Sequence, residues 1–203
     1  MQLAHVARRA DPEIEIIGYL NDFEPVGALI GAAPVLGPFE AWESLDRDVC
    51  FACDLHSAGR MAERSGRIDR LGVARDRWHT CVDPAAVLYE GVVLGVNVGV
   101  GPNAAIKTQA KIADHVAVRD GASLGHDAVL EDHAFVVTNA SVGGYTIVCR
   151  GAYVGMGATI RERLRIGAMS VVGMGAVVVD DVPDGAVVVG NPARILPPSG
   201  AAS

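Results

Sequence analysis

Stepping by six from Val82, the chain places Val, Leu or Ile at seventeen successive positions. They are Val82, Leu88, Leu94, Val100, Ile106, Ile112, Val118, Leu124, Leu130, Val136, Val142, Val148, Val154, Ile160, Ile166, Val172 and Val178. A period of six fits neither an amphipathic helix nor a half-buried strand, so it is read first as an internal repeat. Two further columns keep step with it. Four residues after each aliphatic position sits mostly Ala, Val, Ser or Thr, as at Ala104, Ala110, Ala122, Ala128, Ala134, Ala140, Ala152 and Ala158. Three residues after it, twelve of seventeen positions hold Gly, Asn, Asp or His: Gly91, Asn97, Asn103, His115, Gly121, Asp127, His133, Asn139, Gly151, Gly157, Gly175 and Asp181. These are the types that tolerate positive φ. A short strand and a tight turn every six residues closes into a three-sided coil of eighteen. Coils stacked at the strand spacing of ~4.8 Å make a prism about 25 Å tall, with the aliphatic column inside.

The first eighty residues follow a different pattern. Residues 1–10 (MQLAHVARRA) read as an amphipathic helix, and 13–20 (EIEIIGYL) as a buried strand that stops at Asn21-Asp22. A Gly/Pro-punctuated loop leads to a short strand at 35–37, then a helix at 40–45, a strand at 49–53 and a helix at 57–64. Helix alternating with strand predicts a small parallel α/β unit over residues 1–80, ahead of a coiled unit over 81–203.

Composition narrows this further. Half the residues are apolar, aromatics are only 5% and glycine reaches 24 residues, which suits an interior of small and β-branched side chains. The formal charge of −7 argues against nucleic acid or an anionic membrane as the main partner. No apolar run reaches eighteen residues and no charged-then-apolar leader is seen, so the expectation is a cytoplasmic protein with no membrane insertion. Cys50 and Cys53 form a CxxC without a second pair. Inside the apolar run 49–53 they are expected to be reduced thiols of a buried strand rather than half of a zinc or redox site. His115 and His133, eighteen apart, should stack at one corner of adjacent coils. They are open to two readings: a metal ladder or substrate clamp, or corner residues chosen for their tolerance of positive φ.

The repeat, together with the tail VVVGNPAR at 187–194, resembles the hexapeptide-repeat transferases over residues 82 to about 196. The string Gly125-His126-Asp127-Ala-Val-Leu-Glu131-Asp132 is similar to the G-H-D-x-x-[IL]-G-D motif of their NeuD/PglD-like sugar acyltransferases. That resemblance implies a mainly β fold, a left-handed parallel β-helix with a small Rossmann-like α/β domain. Here the domain would lack its first strand and Gly-rich turn, the usual phosphate cradle. It implies acetyl transfer from acetyl-CoA to an amino- or deoxy-sugar carried on a nucleotide, by a homotrimer that needs no metal. His126 would be the general base, Asp127 would orient it, and Gly144, eighteen residues after it, would supply the oxyanion donor. The segments Gly155-Met156-Gly157-Ala158 and Gly173-Met174-Gly175-Ala176 would follow the CoA arm, with Met156 and Met174 lining the pantetheine groove and residues 191–194 near the adenine. Asn21, Asp22 and Asp54 match the positions that touch the acceptor's nucleotide. Nine residues past His126, where the family usually has a second histidine, this chain has Phe135. Spacings of 11 and 7 between His115, His126 and His133 do not match the zinc site of the γ-class carbonic anhydrases that share this fold. O-acetylation of a free or sialic-like sugar, and a non-catalytic β-helix scaffold, remain as alternatives.

Overall fold

The computed structural model describes residues 2–53 and 56–197. Seventeen two-residue strands run from Cys81–Val82 to Val177–Val178, and each ends on the aliphatic residue of the six-residue column. Each of these strands pairs in parallel with the strand eighteen residues away, as in Ala117↔Phe135 and Phe135↔Tyr153. The coil is a left-handed parallel β-helix with three faces. The first carries the strands ending at Val82, Val100, Val118, Val136, Val154 and Val172. The second ends at Leu88, Ile106, Leu124, Val142, Ile160 and Val178, and the third at Leu94, Ile112, Leu130, Val148 and Ile166.

In-register stacking sets each inward residue above another of like shape, which fills the interior without large aromatics. From Val100 to Val178 all fourteen column residues are buried, and so are Ala104, Ala110, Ala122, Ala128, Ala134, Ala140, Ala152, Ala158 and Ala176 beside them. Leu88, on the first coil, stays exposed at the prism's end.

Corners also obey the repeat. All fifteen residues of the corner column from Gly91 to Gly175 have positive φ. Eleven of them are of the permissive types, and four are not: Gln109, Tyr145, Arg163 and Met169. Asp181 leaves the column because the last coil is shorter, pairing Val172 with Val188 and Ile166 with Val182 at a step of sixteen. Strand Val187–Val189 then turns back to Arg194–Ile195 in antiparallel pairing, covering one end of the first face.

The N-terminal segment comprises α1 (Gln2–Ala10), β1 (Tyr19–Leu20), β2 (Leu29–Ile30), β3 (Ala33–Gly37), a 3₁₀ turn (Phe39–Ser44) and α2 (Met61–Leu71). Several expectations need correction here. Residues 13–20 yield only the two-residue β1, because within this stretch β3 pairs only with Tyr19 and Leu20. The sheet, ordered β1-β3-β2, is mixed: β1 is parallel to β3 and β2 antiparallel. The helix at 57–64 begins at Met61 instead, since Gly59 holds φ +74 and interrupts any earlier turn. Residues 49–53 make a single bridge, Phe51 to Trp78, which turns Phe51 inward and leaves Cys50 exposed rather than buried in a strand.

This segment lies on the first face. Val6 and Ala7 pack on Cys81, and Met61 packs on Ala117 and Phe135. The corner between the second and third faces is therefore the edge of the prism farthest from it. Among the described residues no helix is long and apolar enough to cross a membrane.

Candidate active site

His126 and Asp127 stand at that far edge, where the chain passes from the second face to the third. The corner geometry (Asp127 at φ 57) splays the two side chains toward each other, so His126 Nδ1 and Asp127 Oδ2 lie 2.9 Å apart. An ionised carboxylate only accepts, so Nδ1 donates this bond, and the lone pair of a neutral imidazole held this way lies on Nε2. One coil on, Gly144 faces Nε2. A Cβ at Gly144 would stand 2.9 Å from Nε2, so only glycine leaves this side of the imidazole open. Gly143 N–H donates to Ile160 and Tyr145 N–H to His126, whereas among the described residues nothing accepts the Gly144 N–H. The His126 side chain is 59% exposed. The structure thus brings together His126, Asp127 and Gly144.

Two residues that sequence reasoning passed over join them. Tyr145 meets the His126 ring edge-on at 4.9 Å, and the Arg163 guanidinium lies 4.4 Å from the centre of the Tyr145 ring. Their signal was in the corner column, where neither residue type sits comfortably.

Met156 and Met174 are exposed, 49% and 78%, but they belong to the corner between the first and second faces. Within one chain, the second face separates them from His126. Asn21 Oδ1 accepts from the N–H groups of Phe23 and Glu24, closing the turn after β1. Asp22 accepts from Phe39 N–H at 2.9 Å and pairs with Arg67. Both residues therefore sit together at the end of β1, on the segment that covers the first face. Asp54 lies outside the described residues.

His115 and His133 stack at 4.8 Å with ring planes 8° apart, on the corner between the third and first faces. They bind the N-terminal segment, not a ligand shared with His126. Asn97, one coil below, exchanges hydrogen bonds with Cys53 (2.8 and 3.1 Å) and turns its NH₂ to His115 Nδ1 at 2.9 Å. His133 Nε2 donates to Asp69 of α2 at 2.9 Å, and Asp69 also pairs with Arg150. Burial pushes His115 down to about 4, helped by neighbouring His133, and it lowers His133 too despite Asp69. His133, 2% exposed, therefore cannot stand in for the histidine that Phe135 replaces. Phe135 itself packs on His56 and Tyr153. Among the described residues, no group of three or more His, Cys, Asp or Glu is placed to hold a metal.

A cleft of about 360 Å³ lies between the 3₁₀ turn and α2, lined by Glu40, Trp42, Glu63, Arg67 and Arg70 among others. It adjoins the Asp22–Arg67 pair and is remote from His126.

No protein-family model and no curated protein sequence matches the chain. Solved structures do. WeeI from Acinetobacter baumannii superposes with a TM-score of 0.83 at 25% identity, over 96% of this chain and 93% of its own. The acetyltransferase domain of PglB from Neisseria gonorrhoeae gives 0.85 at 25% identity with the same coverage, and the same domain has been solved in complex with acetyl coenzyme A. A mutant of perosamine N-acetyltransferase from Caulobacter crescentus, in complex with CoA and GDP-perosamine, shares the fold at a TM-score of 0.83 and 24% identity over 96% of this chain and 90% of its own. With its hexapeptide coil and a His-Asp corner facing an open glycine, the chain is similar over nearly its whole length to hexapeptide-repeat sugar acetyltransferases of the NeuD/PglD-like kind.

Proposed function

We propose that this protein transfers the acetyl group of acetyl-CoA to the amino group of a nucleotide-linked sugar, with His126 as general base. One observation carries the reading: Nδ1 of His126 is engaged by Asp127 while Nε2 faces the open side of Gly144. The Asp127 carboxylate holds the tautomer that leaves Nε2 free to accept a proton. As the sugar nitrogen attacks the thioester carbonyl, Nε2 takes the nitrogen's proton. The carbonyl oxygen becomes an oxyanion, and the Gly144 N–H, with no acceptor in the described chain, stabilises it. The C–S bond then breaks, and the thiolate of CoA leaves with the proton returned from His126. Each of these groups is positioned by the stacked coils rather than by a mobile loop.

The PglB domain's complex with acetyl-CoA supports the co-substrate. In our reading Met156 and Met174 line the pantetheine arm, and the Asn21–Asp22 turn, with Asp54, meets the acceptor's nucleotide. Met156 and Met174 stand on another edge of the prism than His126, and the Asn21–Asp22 turn stands on the segment over the first face. A homotrimer in which a neighbouring copy brings its own edge against His126 reconciles the two, and the flat second and third faces are available for it. We place the reaction in the cytoplasm, with acetyl-CoA as a diffusible substrate.

His126→Ala tests the assignment. With acetyl-CoA, a panel of UDP-, GDP- and dTDP-linked amino sugars and a thiol reagent to count released CoA, kcat should fall by about 10²–10⁴ while KM for acetyl-CoA stays within about threefold. Turnover that survives the substitution removes His126 as base. A wild-type protein that shows no heat of binding with CoA favours the scaffold instead.

A further inference from the structure

We propose that Tyr145 is a positioning residue for the His126 imidazole, a role that rests on reading His126 as the base. The backbone supplies the first reason. Tyr145 occupies the corner column at φ 57, a conformation that bulky side chains seldom adopt. At the corners just before and after it along the chain, the column holds Asn139 and Gly151, which accept such a φ with little strain. Strained residues persist where surrounding structure imposes them, and they gather at functional sites. Of the corners in this part of the prism, the chain places an aromatic residue at the one that faces His126.

What the ring does there follows from what the imidazole lacks. His126 is largely exposed, and an adjacent carboxylate in water orders a side chain weakly. The Asp127 hydrogen bond fixes Nδ1 but leaves the ring free to swing about that point. Tyr145 removes this freedom, because its ring stands at 86° to the imidazole with centroids 4.9 Å apart, an edge-to-face arrangement. Tyr145 is itself held in two ways. Its N–H donates to the His126 carbonyl at 3.0 Å, which locks the two corners in register. Arg163, the corner residue one coil further along the same edge at φ 62, sets its guanidinium against the tyrosine ring, and its N–H donates to the Gly144 carbonyl at 2.9 Å. Asp127, Tyr145 and Arg163 thus form a ladder of three corner residues stacked on successive coils. Its lowest member fixes one nitrogen, its middle member fixes the ring plane, and its highest member steadies the middle one. Gly144, having no side chain, leaves the Nε2 side of the ring clear.

The test uses the full-length protein and two substitutions. Tyr145→Asn suits the positive φ, so it relieves backbone strain while removing the ring, and Tyr145→Phe keeps the ring. For Tyr145→Asn, kcat should fall about tenfold to a hundredfold, as expected for a displaced catalytic group, with both KM values within about threefold. Its melting temperature should equal or exceed that of the wild type. Tyr145→Phe should match the wild type in kcat and melting temperature. Independently of turnover, the ¹H–¹³C resonances of the His126 ring should shift in Tyr145→Asn, where the aromatic ring current is lost, and hold in Tyr145→Phe. The proposal is overturned if Tyr145→Asn keeps kcat within twofold, if its melting temperature falls in step with kcat, or if its His126 resonances do not move. It is overturned too if Tyr145→Phe loses as much as Tyr145→Asn, since the hydroxyl would then be the acting group, or if only KM changes, since the ring would then bind substrate. Failure of the underlying reading looks different: wild-type turnover that survives His126→Ala removes the base itself, whatever the Tyr145 variants do.

Discussion

Lowering the pH from 7 to 4.5 protonates the histidines of the unfolded chain but not His115 of the folded one, and that difference destabilises the seam between the N-terminal segment and the prism. The cause is visible in the hydrogen bonds. The Asn97 carbonyl oxygen accepts from Cys53 N–H, so its NH₂ must face His115 Nδ1, and that nitrogen can only accept. A protonated His115 would set N–H against N–H, next to the stacked His133 ring and under the edge of Trp78. Asp114, Asp69 and Asp132 nearby favour the charged form, but burial outweighs them and holds the value at about 4. Because the folded value lies below the ordinary 6.5, stability is fully present above 6.5, falls as the pH drops below it, and is lost no further beneath about 4. A depression of that size corresponds to about 3 kcal/mol in full. The ring is only partly buried, so we take about half, ~1.5 kcal/mol. Urea unfolding followed by tryptophan fluorescence at pH 7 and 4.5 gives the loss for the wild type. The same pair of measurements on His115→Asn, which fits φ 60, cancels the carboxylates that titrate in the same range. The wild type should lose about 1.5 kcal/mol more than the variant across this interval. An equal loss in the two proteins would refute the account.

Asp127→Asn weakens the hold on the Nδ1 tautomer without emptying the corner, since Asn also tolerates positive φ; kcat measured in single turnover should drop about tenfold or more, with acetyl-CoA binding unchanged by calorimetry. Ile166→Ala opens a cavity in a fully buried stack, so chemical denaturation should show a loss of about 2–5 kcal/mol while kcat at low temperature is retained.

The coil was legible because a single column of residues determines nearly everything about it. Once Val82 and the sixteen aliphatic residues after it are placed inward, strand pairing, face membership and the eighteen-residue neighbours follow. Gln109, Tyr145, Arg163 and Met169 were not legible as corners, since residue type there points away from positive φ and the stacked coils above and below impose it. The N-terminal segment was read less well for the opposite reason. Residues 13–20 alternate as a strand should, yet a strand exists only where a partner lies alongside, and nothing in the alternation says that of these residues β3 meets only Tyr19 and Leu20. The His126–Asp127 pair was visible from the motif that the string from Gly125 to Asp132 resembles. The seam was not: the eighteen-residue step predicts that His115 stacks on His133, but no sequence rule says that Asp69, 64 residues away, arrives to accept the His133 hydrogen bond.

Both histidine sites are built from the same corner geometry, and what separates them is cover. At the corner between the third and first faces, Asn97, His115 and His133 lie beneath Cys53, Trp78 and α2, and their polar atoms are spent on holding that cover in place. Burial drives both imidazoles toward the neutral form, which suits an anchor, because a neutral ring can accept from Asn97 on one coil while its neighbour donates to Asp69 on the next. At the corner between the second and third faces no described segment brings such cover, and the edge holds Asp127, Tyr145 and Arg163 around a histidine whose side chain is largely exposed. A histidine whose two nitrogens were both committed could not exchange a proton with a substrate. The placement of the N-terminal segment on the first face thus decides which histidines of the repeat hold the protein together, and among the described residues it leaves the His126 edge uncovered.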